Sequence, residues 1–304
     1  MATKNTIFSG FMLAIVGAIL FSAKGLLIKY AYSDGLATET ILLYRMGLAF
    51  PVFAFIALKK GIKSFDARDI PGILFCGIFG YYLAAWLSFY SLHFISVQLE
   101  RIILFSYPSL VVLGTAILAR RLPSPKVIVA ALLSYLGVIT IFASEWLNSK
   151  TGTQTSVDVA FGTALVGLSA AFFAAYVIAS KRLIGKYGSA TFTGASMSVS
   201  TVAIIIHTSA VAFNHSDLTL IIPPANSLPI ILILTFFGTL IPTFMLSEAV
   251  ARIGTERTAI SGTVGPLAAS LLAVLFLNEA FTPYHALSLA LCTLGIILIA
   301  KRTA

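Results

Sequence analysis

The sequence predicts an all-α polytopic membrane protein, in which ten transmembrane helices form two inverted five-helix repeats. Three observations support this fold class. Of the 304 residues, 59% are hydrophobic and only 10% are charged, whereas a soluble domain carries about 25% charged residues. Apolar runs of about 20 residues, each long enough to cross the hydrocarbon core as a helix, recur along the chain. The second half of the chain repeats features of the first half in register.

The apolar runs are continuous, which favours helices over a membrane barrel, whose strands alternate in segments of about 10 residues. A spanning segment satisfies its backbone hydrogen bonds internally, as a helix does. We predict helices over 7–28, 38–58, 70–91, 96–118, 126–145, 158–180, 190–212, 228–250, 257–277 and 282–300. The first of them is too long for the apolar region of a signal peptide, so we expect it to be retained.

The distribution of basic residues predicts the orientation of the chain. Fifteen Lys and Arg residues lie on the side of the N-terminus: Lys4, Lys59, Lys60, Lys63, Arg68, Arg120, Arg121, Lys126, Lys181, Arg182, Lys186, Arg252, Arg257, Lys301 and Arg302. On the opposite side there are only Lys29 and Lys150. Because cytoplasmic loops carry an excess of Lys and Arg, we expect both termini in the cytoplasm. The basic residues therefore indicate topology and not nucleic-acid binding.

The sequence contains no pattern typical of a catalytic site. Cys76 and Cys292 fall in predicted spans, where small buried cysteines are the simplest interpretation. The four histidines are scattered, and there is no HExxH motif, P-loop or paired acidic motif. We therefore predict no enzymatic activity, no cofactor and no metal site.

An internal repeat divides the chain. A shift of 158 residues aligns 70–142 with 228–300 without a gap, and it brings together Pro108 with Pro266, Pro125 with Pro283, and Gly137 with Gly295. A weaker shift of 152 pairs Gly10 with Gly162, Leu13 with Leu165, and Lys29 with Lys181. We predict two repeats, 1–150 and 151–304. Because each has five helices, the second crosses the membrane in the opposite direction, an arrangement common in secondary transporters.

Pro108 and Pro266 lie at equivalent places within predicted helices 4 and 9. A proline inside a helix removes one backbone hydrogen bond and kinks the helix. Such a kink serves helix packing, or it belongs to a helix that lines a cavity, where the freed carbonyl is satisfied. The symmetry of the pair favours the cavity.

Small residues recur every four positions in predicted helices 1 and 6. They are Gly10, Ala14, Ala18 and Ser22 in helix 1, and Gly167, Ala171, Ala175 and Ala179 in helix 6. Small side chains allow a neighbouring helix to approach closely. We predict that both stripes are packing surfaces.

Four stretches carry a family resemblance. The last, 251-ARIGTERTAISGTVGPLAASLLAVLFLNEAFTPYHALSLALCTLGIILIA-300, contains Pro266 in a helix, then Glu279, and Gly295 in the final helix. The others are 19-ILFSAKGLLIKYAY-32, 41-ILLYRMGLAF-50 and 161-FGTALVGLSAAFFAAYVIASKRL-183. Together they resemble the EamA-type transporters of the drug/metabolite transporter superfamily over nearly the whole chain. The resemblance implies a transporter in which Glu279 and Gly295 have structural roles.

The chain departs from that family at two positions. Lys24 stands where the family has a small or amide residue, and Arg121 stands where a glutamate is usual. Substrates vary widely within the family, so the resemblance does not identify the substrate.

Charged residues inside the predicted spans are the first candidates for a substrate pathway. A charge at the centre of a span costs ~2.5–3.5 kcal/mol on insertion scales. Lys24 and Arg45 share one depth in the outer part of the membrane, and Glu100 is the expected counter-ion of one or the other. Lys24 contacts either the substrate or only Glu100. For Arg101 we expect a side chain that extends to the interface.

Aromatic residues supply further candidates. Tyr82 and Trp86 lie four residues apart in predicted helix 3, and Tyr107 and Tyr176 lie in helices 4 and 6. They form the walls of a cavity, or they belong to an interfacial aromatic belt or to helix packing. Basic groups beside aromatic walls suit a metabolite with a carboxylate, such as an amino acid with an apolar side chain.

The predicted function is that of a bacterial inner-membrane secondary transporter, which exports a small metabolite such as an amino acid by alternating access. Its partners are that metabolite and the lipid bilayer, and the sequence predicts no oligomeric state. A lipid-modifying enzyme is the first alternative, but it needs a nucleophile, an acid/base pair or a metal cluster. A channel is the second, but it needs a continuous polar pore, and the spans contain few polar residues.

Overall fold

The protein is all-helical in the residues that the computed structural model describes, which are 4–59, 65–120, 122–148 and 155–300. Eight of the described helices are long and apolar enough to cross a membrane, and the apolar helices Val264–Leu277 and Pro283–Leu298 are shorter. The predicted all-α class is therefore confirmed, whereas ten crossings stay a prediction. The predicted repeat boundary at 150/151 lies outside the described residues, as do Lys60, Lys63, Arg121, Lys150, Lys301 and Arg302.

We number the helical segments in chain order. They are α1 Lys4–Ser33, α2 Thr38–Leu58, α3 Ala67–Ser91, α4 Val97–Leu118, α5 Pro125–Asn148, α6 Ser156–Tyr187, α7 Ser189–His215, α8 228–253, α9 255–277 and α10 Pro283–Ala300. The boundary between α8 and α9 is Gly254, which has a φ of 82°. The largest differences from the predicted bounds are the ends of α1 and α6, because both helices continue beyond their apolar runs.

Capping residues fix where two of the helices begin. Ser96 precedes α4, and its hydroxyl accepts a hydrogen bond from the Leu99 N–H at 2.9 Å. Thr155 precedes α6 and forms a reciprocal capping box with Asp158. Both arrangements satisfy backbone N–H groups that have no partner within the first turn of a helix.

Helices α3 and α8 contain π-helical turns at equivalent positions. The turns cover Cys76–Leu83 in α3 and Phe236–Leu240 in α8. Under the shift of 158 residues, 236–240 corresponds to 78–82, and Gly238 corresponds to Gly80. A π turn inserts one extra residue and rotates the residues that follow by about 100°.

Helices α4 and α9 are each broken in the middle. The first segment of α4, Val97–Leu104, is separated by two residues from the second, Tyr107–Leu118. In α9 the second segment, Val264–Leu277, follows a break at Thr263, which corresponds to Phe105 under the same shift. Pro108 and Pro266 lie in the first turns of these second segments, where a missing backbone N–H has no cost. The predicted kinks are short interruptions between helical segments, at which Phe105, Ser106 and Thr263 keep right-handed helical dihedral angles.

The contacts between helices follow a two-fold pattern. α1 packs on α8 and α9, and α6 packs on α3 and α4. α2 packs on α7, α5 on α10, and α4 on α9. Exchanging α1–α5 with α6–α10 leaves this set of contacts unchanged, as expected for two structurally equivalent halves that interlock.

Glycines bring α5 and α10 together. A Cβ added to Gly137 would lie 2.6 Å from the Cys292 sulfur, and one added to Gly295 would collide with the hydroxyl of Ser134. Ser288 also donates a hydrogen bond to the Gly137 carbonyl at 2.7 Å. Gly295 therefore occupies a position that has no room for a side chain.

Only one of the two predicted stripes of small residues is a packing surface. In α1, Ala14, Ala18 and Ser22 are buried, and a Cβ at Gly10 would lie 2.5 Å from the Ile253 side chain. In α6 the prediction is wrong for Gly167, which has nothing within 4 Å, and for Ala171, which is exposed, whereas Ala179 packs against a buried cluster. The buried face of α6 lies instead along Gly162, Val166, Ser169, Ala170 and Ala174.

Candidate functional site

A cavity of about 360 Å³ lies among α1, α2, α3, α4, α6, α7 and α8. Its volume is in the range of small-molecule sites, which are typically ~300–1,000 Å³. The side chains that line it include three cations and a group of aromatic rings. Four of the seven sequence candidates for a substrate pathway line it, namely Lys24, Arg45, Tyr107 and Tyr176.

Lys24 extends from α1 into this cavity and is only 7% exposed. Its ammonium lies 4.7 Å from the centroid of the Phe21 ring and 5.2 Å from that of Phe89. Within the described part of the chain it makes no hydrogen bond and no ion pair. A Cβ added to Gly238 in α8 would lie 3.7 Å from the Lys24 Cγ, an ordinary van der Waals distance, so the lysine stem packs beside this glycine.

Arg45 extends from α2 and is 6% exposed. Its guanidinium lies 4.7 Å from the centroid of the Phe89 ring. One Nη donates a long hydrogen bond of 3.4 Å to the Thr239 hydroxyl in α8, and the buried Nε has no hydrogen-bond partner among the described residues. The planar donors of this guanidinium are thus largely unused.

Arg101 contradicts the prediction of a side chain that extends to the interface. It is 2% exposed and lines the cavity, because the first segment of α4 is enclosed by α1, α5, α6, α9 and α10. Its Nε lies 3.8 Å from the Glu100 carboxylate, a distance that gives an ion pair without a hydrogen bond. Its Nε and one Nη have no hydrogen-bond partner within the described ranges.

Glu100 is buried behind the cavity wall. It accepts a hydrogen bond of 2.5 Å from the Ser88 hydroxyl, and its nearest cation is Arg101. In the described structure no ion pair joins it to Lys24 or Arg45, so the expected counter-ion contact is wrong. With all four groups ionised, the three cations and one carboxylate give this region a net charge of +2. Buried charge of one sign is costly unless it is paired.

Aromatic rings line another part of the cavity wall. The hydroxyls of Tyr81 and Tyr176 lie 2.6 Å apart and hydrogen bond to each other. The Tyr176 ring contacts the Phe173 ring, with their centroids 5.5 Å apart. Phe173 in turn contacts the Tyr107 ring edge to face, with a centroid distance of 4.9 Å. A Cβ on Gly80 would lie 2.5 Å from the Cγ of Tyr176, so only glycine leaves space for this ring.

Tyr82 and Trp86 lie outside the cavity. The Trp86 indole donates to the Glu39 carboxylate at 2.9 Å, and the ring stacks on Tyr90. Tyr82 contacts the His207 ring of α7 at 5.8 Å. Tyr81, the neighbouring residue, lines the cavity instead, on the face of α3 that also carries Ala84 and Ser88.

Glu279 holds the start of α4 in place. Its carboxylate accepts a hydrogen bond of 2.9 Å from the Val97 N–H, and the Gln98 side chain donates to the Ala280 carbonyl at 3.2 Å. Ser96 also hydrogen bonds to the Glu145 carboxylate of α5. These contacts connect the α9–α10 loop to α4, as expected for a structural glutamate.

A second polar cluster joins α3 to α6 and is named here the Asp69 cluster. The buried Asp69 carboxylate accepts hydrogen bonds from Lys186 at 2.5 Å, Tyr187 at 2.7 Å and Arg182 at 3.1 Å. Asp66 lies beside it in the loop, where the N–H of Arg68 and the Lys186 ammonium lower the pKa of its carboxyl. From the sequence, Arg182 and Lys186 were predicted only to mark the cytoplasmic side of the membrane.

The described residues contain no group of three or more His, Cys, Asp or Glu side chains that could hold a metal ion. Cys76 and Cys292 are free and buried, the arrangement expected from the sequence.

Comparisons with known proteins agree with this architecture. The chain is 27% identical over 277 residues to "Uncharacterized transporter YcbK" of Bacillus subtilis (strain 168), covering 89% of this chain and 86% of that protein. A solved structure described only as "Crystal structure of protein" superposes with a TM-score of 0.58 and 17% identity, covering 97% of this chain and 98% of the other. At that identity the likeness shows the fold alone.

Apolar helices around an internal cavity lined by cations and aromatic rings, together with this relative, indicate the class of the protein, a multi-pass membrane transporter. The profile of the EamA-like transporter family matches residues 8–143 and again residues 160–301. The chain belongs to the EamA-like transporter family.

Proposed function

We propose that this transporter crosses the bacterial inner membrane ten times, with both termini in the cytoplasm, and exports a small metabolite that carries a carboxylate. The repeats 1–150 and 151–304 would be inverted relative to each other, and the substrate would bind in the cavity between them. The proposal of both termini in the cytoplasm rests on the fifteen basic residues on one side against two on the other.

The observation that carries this proposal is the cluster of Lys24, Arg45 and Arg101 around one internal cavity. The nearby Glu100 provides one negative charge, which is engaged with Ser88 and Arg101. Guanidinium groups bind carboxylates through paired hydrogen bonds, and lysine adds a mobile point charge. An anionic ligand would therefore relieve the excess of buried positive charge.

Alternating access is supported by the interlocked halves. The π turns and the helix breaks occur at equivalent positions, and residues of both proposed halves line the cavity. In transporters built from repeats, one half rocks against the other around a fixed central site. The broken α4 and α9 would supply flexible points in that motion.

An amino acid with an apolar side chain is the leading substrate. Its carboxylate would contact the cations, and its side chain would lie against the rings of Tyr107 and Tyr176. A channel is disfavoured because this cavity is walled by large side chains such as Phe105 and Phe173. A lipid-modifying enzyme is disfavoured because the cavity brings cations and rings together without an acid/base pair.

Uptake into everted inner-membrane vesicles tests the proposal. Labelled amino acids are supplied with and without a proton gradient, to vesicles with the wild type, Lys24→Met, Lys126→Met or empty vector. Lys126 is exposed, so its variant controls for the loss of one lysine. We expect gradient-dependent accumulation in the wild type and Lys126→Met but not in Lys24→Met. Accumulation equal to the empty vector for every amino acid would reject them as substrates.

A further inference from the structure

Lys24 and Tyr176 occupy equivalent positions in the two halves. They are 152 residues apart, the offset that pairs Gly10 with Gly162. The contacts support this register independently. A Cβ on Gly10 would lie 2.5 Å from Ile253, and one on Gly162 would lie 2.7 Å from Ile95. Ile95 and Ile253 are themselves related by the 158-residue shift.

The partners of Lys24 and Tyr176 are equivalent as well. Lys24 lies against Gly238 in the π turn of α8, and Tyr176 lies against Gly80 in the π turn of α3. Positions 80 and 238 are also 158 residues apart. Equivalent positions in the two halves therefore carry an ammonium on one side of the cavity and an aromatic ring on the other.

The two sides differ in what surrounds these residues. Lys24 shares the Phe89 ring with Arg45, and together with Arg101 they form the cationic side. Tyr176 is joined to Tyr81, Phe173 and Tyr107, which form the aromatic side. Because the Tyr81 and Tyr176 hydroxyls bond to each other, this side presents mainly apolar ring surface to a ligand.

We propose that this Lys24/Tyr176 pair gives the cavity two unlike ends that orient the substrate and determine its selectivity. The inference rests on the proposed function and deepens it. The cationic side holds the carboxylate of any substrate, and Tyr176 selects among carboxylates by the apolar surface of the rest of the molecule. Each buried methylene is expected to increase affinity by about fourfold.

Binding of matched pairs of probes to the purified full-length protein tests this proposal. Glycine and leucine share their charged groups and differ only in the side chain, and acetate and hexanoate differ only in chain length. Isothermal titration gives the ratio of dissociation constants within each pair. In the wild type we expect the longer member to bind at least about tenfold more tightly.

Substitutions on the cationic side and on the aromatic side of the cavity test the two contributions separately. Tyr176→Ala should bring the ratio close to one while glycine or acetate still binds. Lys24→Met should weaken both members of a pair by a similar factor and leave the ratio unchanged. Tyr176→Phe keeps the ring and should keep the ratio. Tyr82→Ala removes a tyrosine outside the cavity and should also leave the ratio unchanged.

Tyr107→Ala provides a second variant on the aromatic side if Tyr176→Ala does not fold, and it should also reduce the ratio. Wild-type selectivity that persists in both alanine variants would overturn the assignment of the aromatic side and leave the proposed transport of carboxylates intact. Failure of the wild type to bind all four probes would overturn the proposed function and this inference together.

Discussion

The cationic groups of Lys24 and Arg45 lie over the same aromatic ring, 5.2 and 4.7 Å from the centroid of Phe89. Like charges therefore lie close together in a buried region, and the described residues place no carboxylate in contact with either of them. The attraction of each cation to the ring offsets part of the cost of burial. A bound anion would offset more of it. We therefore expect these cations to lower the stability of the ligand-free protein and to favour the binding of an anion.

The first prediction concerns the effect of the Lys24 charge on the stability of the protein and on ligand binding. Replacing Lys24 by Met keeps most of the side-chain stem and removes a buried, unpaired charge. We expect Lys24→Met to raise the free energy of unfolding by about 0.5–2 kcal/mol, although it weakens binding. Thermal unfolding of the ligand-free protein in detergent provides the measurement, with Lys126→Met as the control. A lower melting temperature in Lys24→Met alone would show that Lys24 is a structural residue.

The second prediction concerns the close approach of α3 and α6. Gly80→Ala places a methyl group against the Tyr176 ring, and such overpacking costs about 1–3 kcal/mol. The matched control is Gly167→Ala in α6, where a methyl group meets nothing within 4 Å. There, lower backbone freedom of the unfolded chain predicts a gain of about 0.4–1 kcal/mol. Equal melting temperatures of the two variants would contradict the packing described here.

The third prediction concerns the breaks in α4 and α9. Pro108→Ala and Pro266→Ala each restore a backbone N–H and allow the two segments to join into one helix. We expect both variants to fold and to transport more slowly than the wild type. Pro51→Ala in α2 provides the control, because Pro51 lies within an unbroken helix and is exposed. Its transport rate should equal that of the wild type. Normal rates in all three variants would exclude a role for the breaks.

The fourth prediction concerns the Asp69 cluster. Asp69→Asn weakens the contacts of one buried carboxylate with Arg182, Lys186 and Tyr187, so we expect a clearly lower melting temperature at pH 7. Asp66→Asn changes an exposed carboxylate in the same cluster and should have a much smaller effect. The comparison uses thermal unfolding under identical conditions. Equal melting temperatures of the two variants would show that the buried Asp69 carboxylate contributes no more to stability than the exposed Asp66 carboxylate.

Much of this architecture was predictable from the sequence. The ends of α2, for example, coincide with the predicted span 38–58. The pairing of Pro108 with Pro266 located both helix breaks, because proline marks the place where a backbone hydrogen bond is absent. Lys24 and Arg45, for which a shared depth was predicted, both lie over the Phe89 ring.

The remaining features depend on packing that the sequence does not encode locally. Tyr81 rather than Tyr82 lines the cavity, because the face of α3 that carries Tyr81 and Ala84 meets α6 and α7, and the local sequence does not specify which face does so. Arg101 was expected to extend to the interface because it lies off the centre of its predicted span, where a long side chain can reach the membrane surface. Its burial follows from the neighbours of α4, which are distant in sequence.

The most direct test of the account is equilibrium binding of labelled leucine to purified wild type, Lys24→Met and Lys126→Met. A charge-assisted hydrogen bond contributes about 1.5–3 kcal/mol, which corresponds to roughly ten- to 150-fold in affinity. We expect a loss of at least that order in Lys24→Met and unchanged binding in Lys126→Met. Equal affinity of all three proteins for leucine would contradict the claim that Lys24 binds the carboxylate of the substrate.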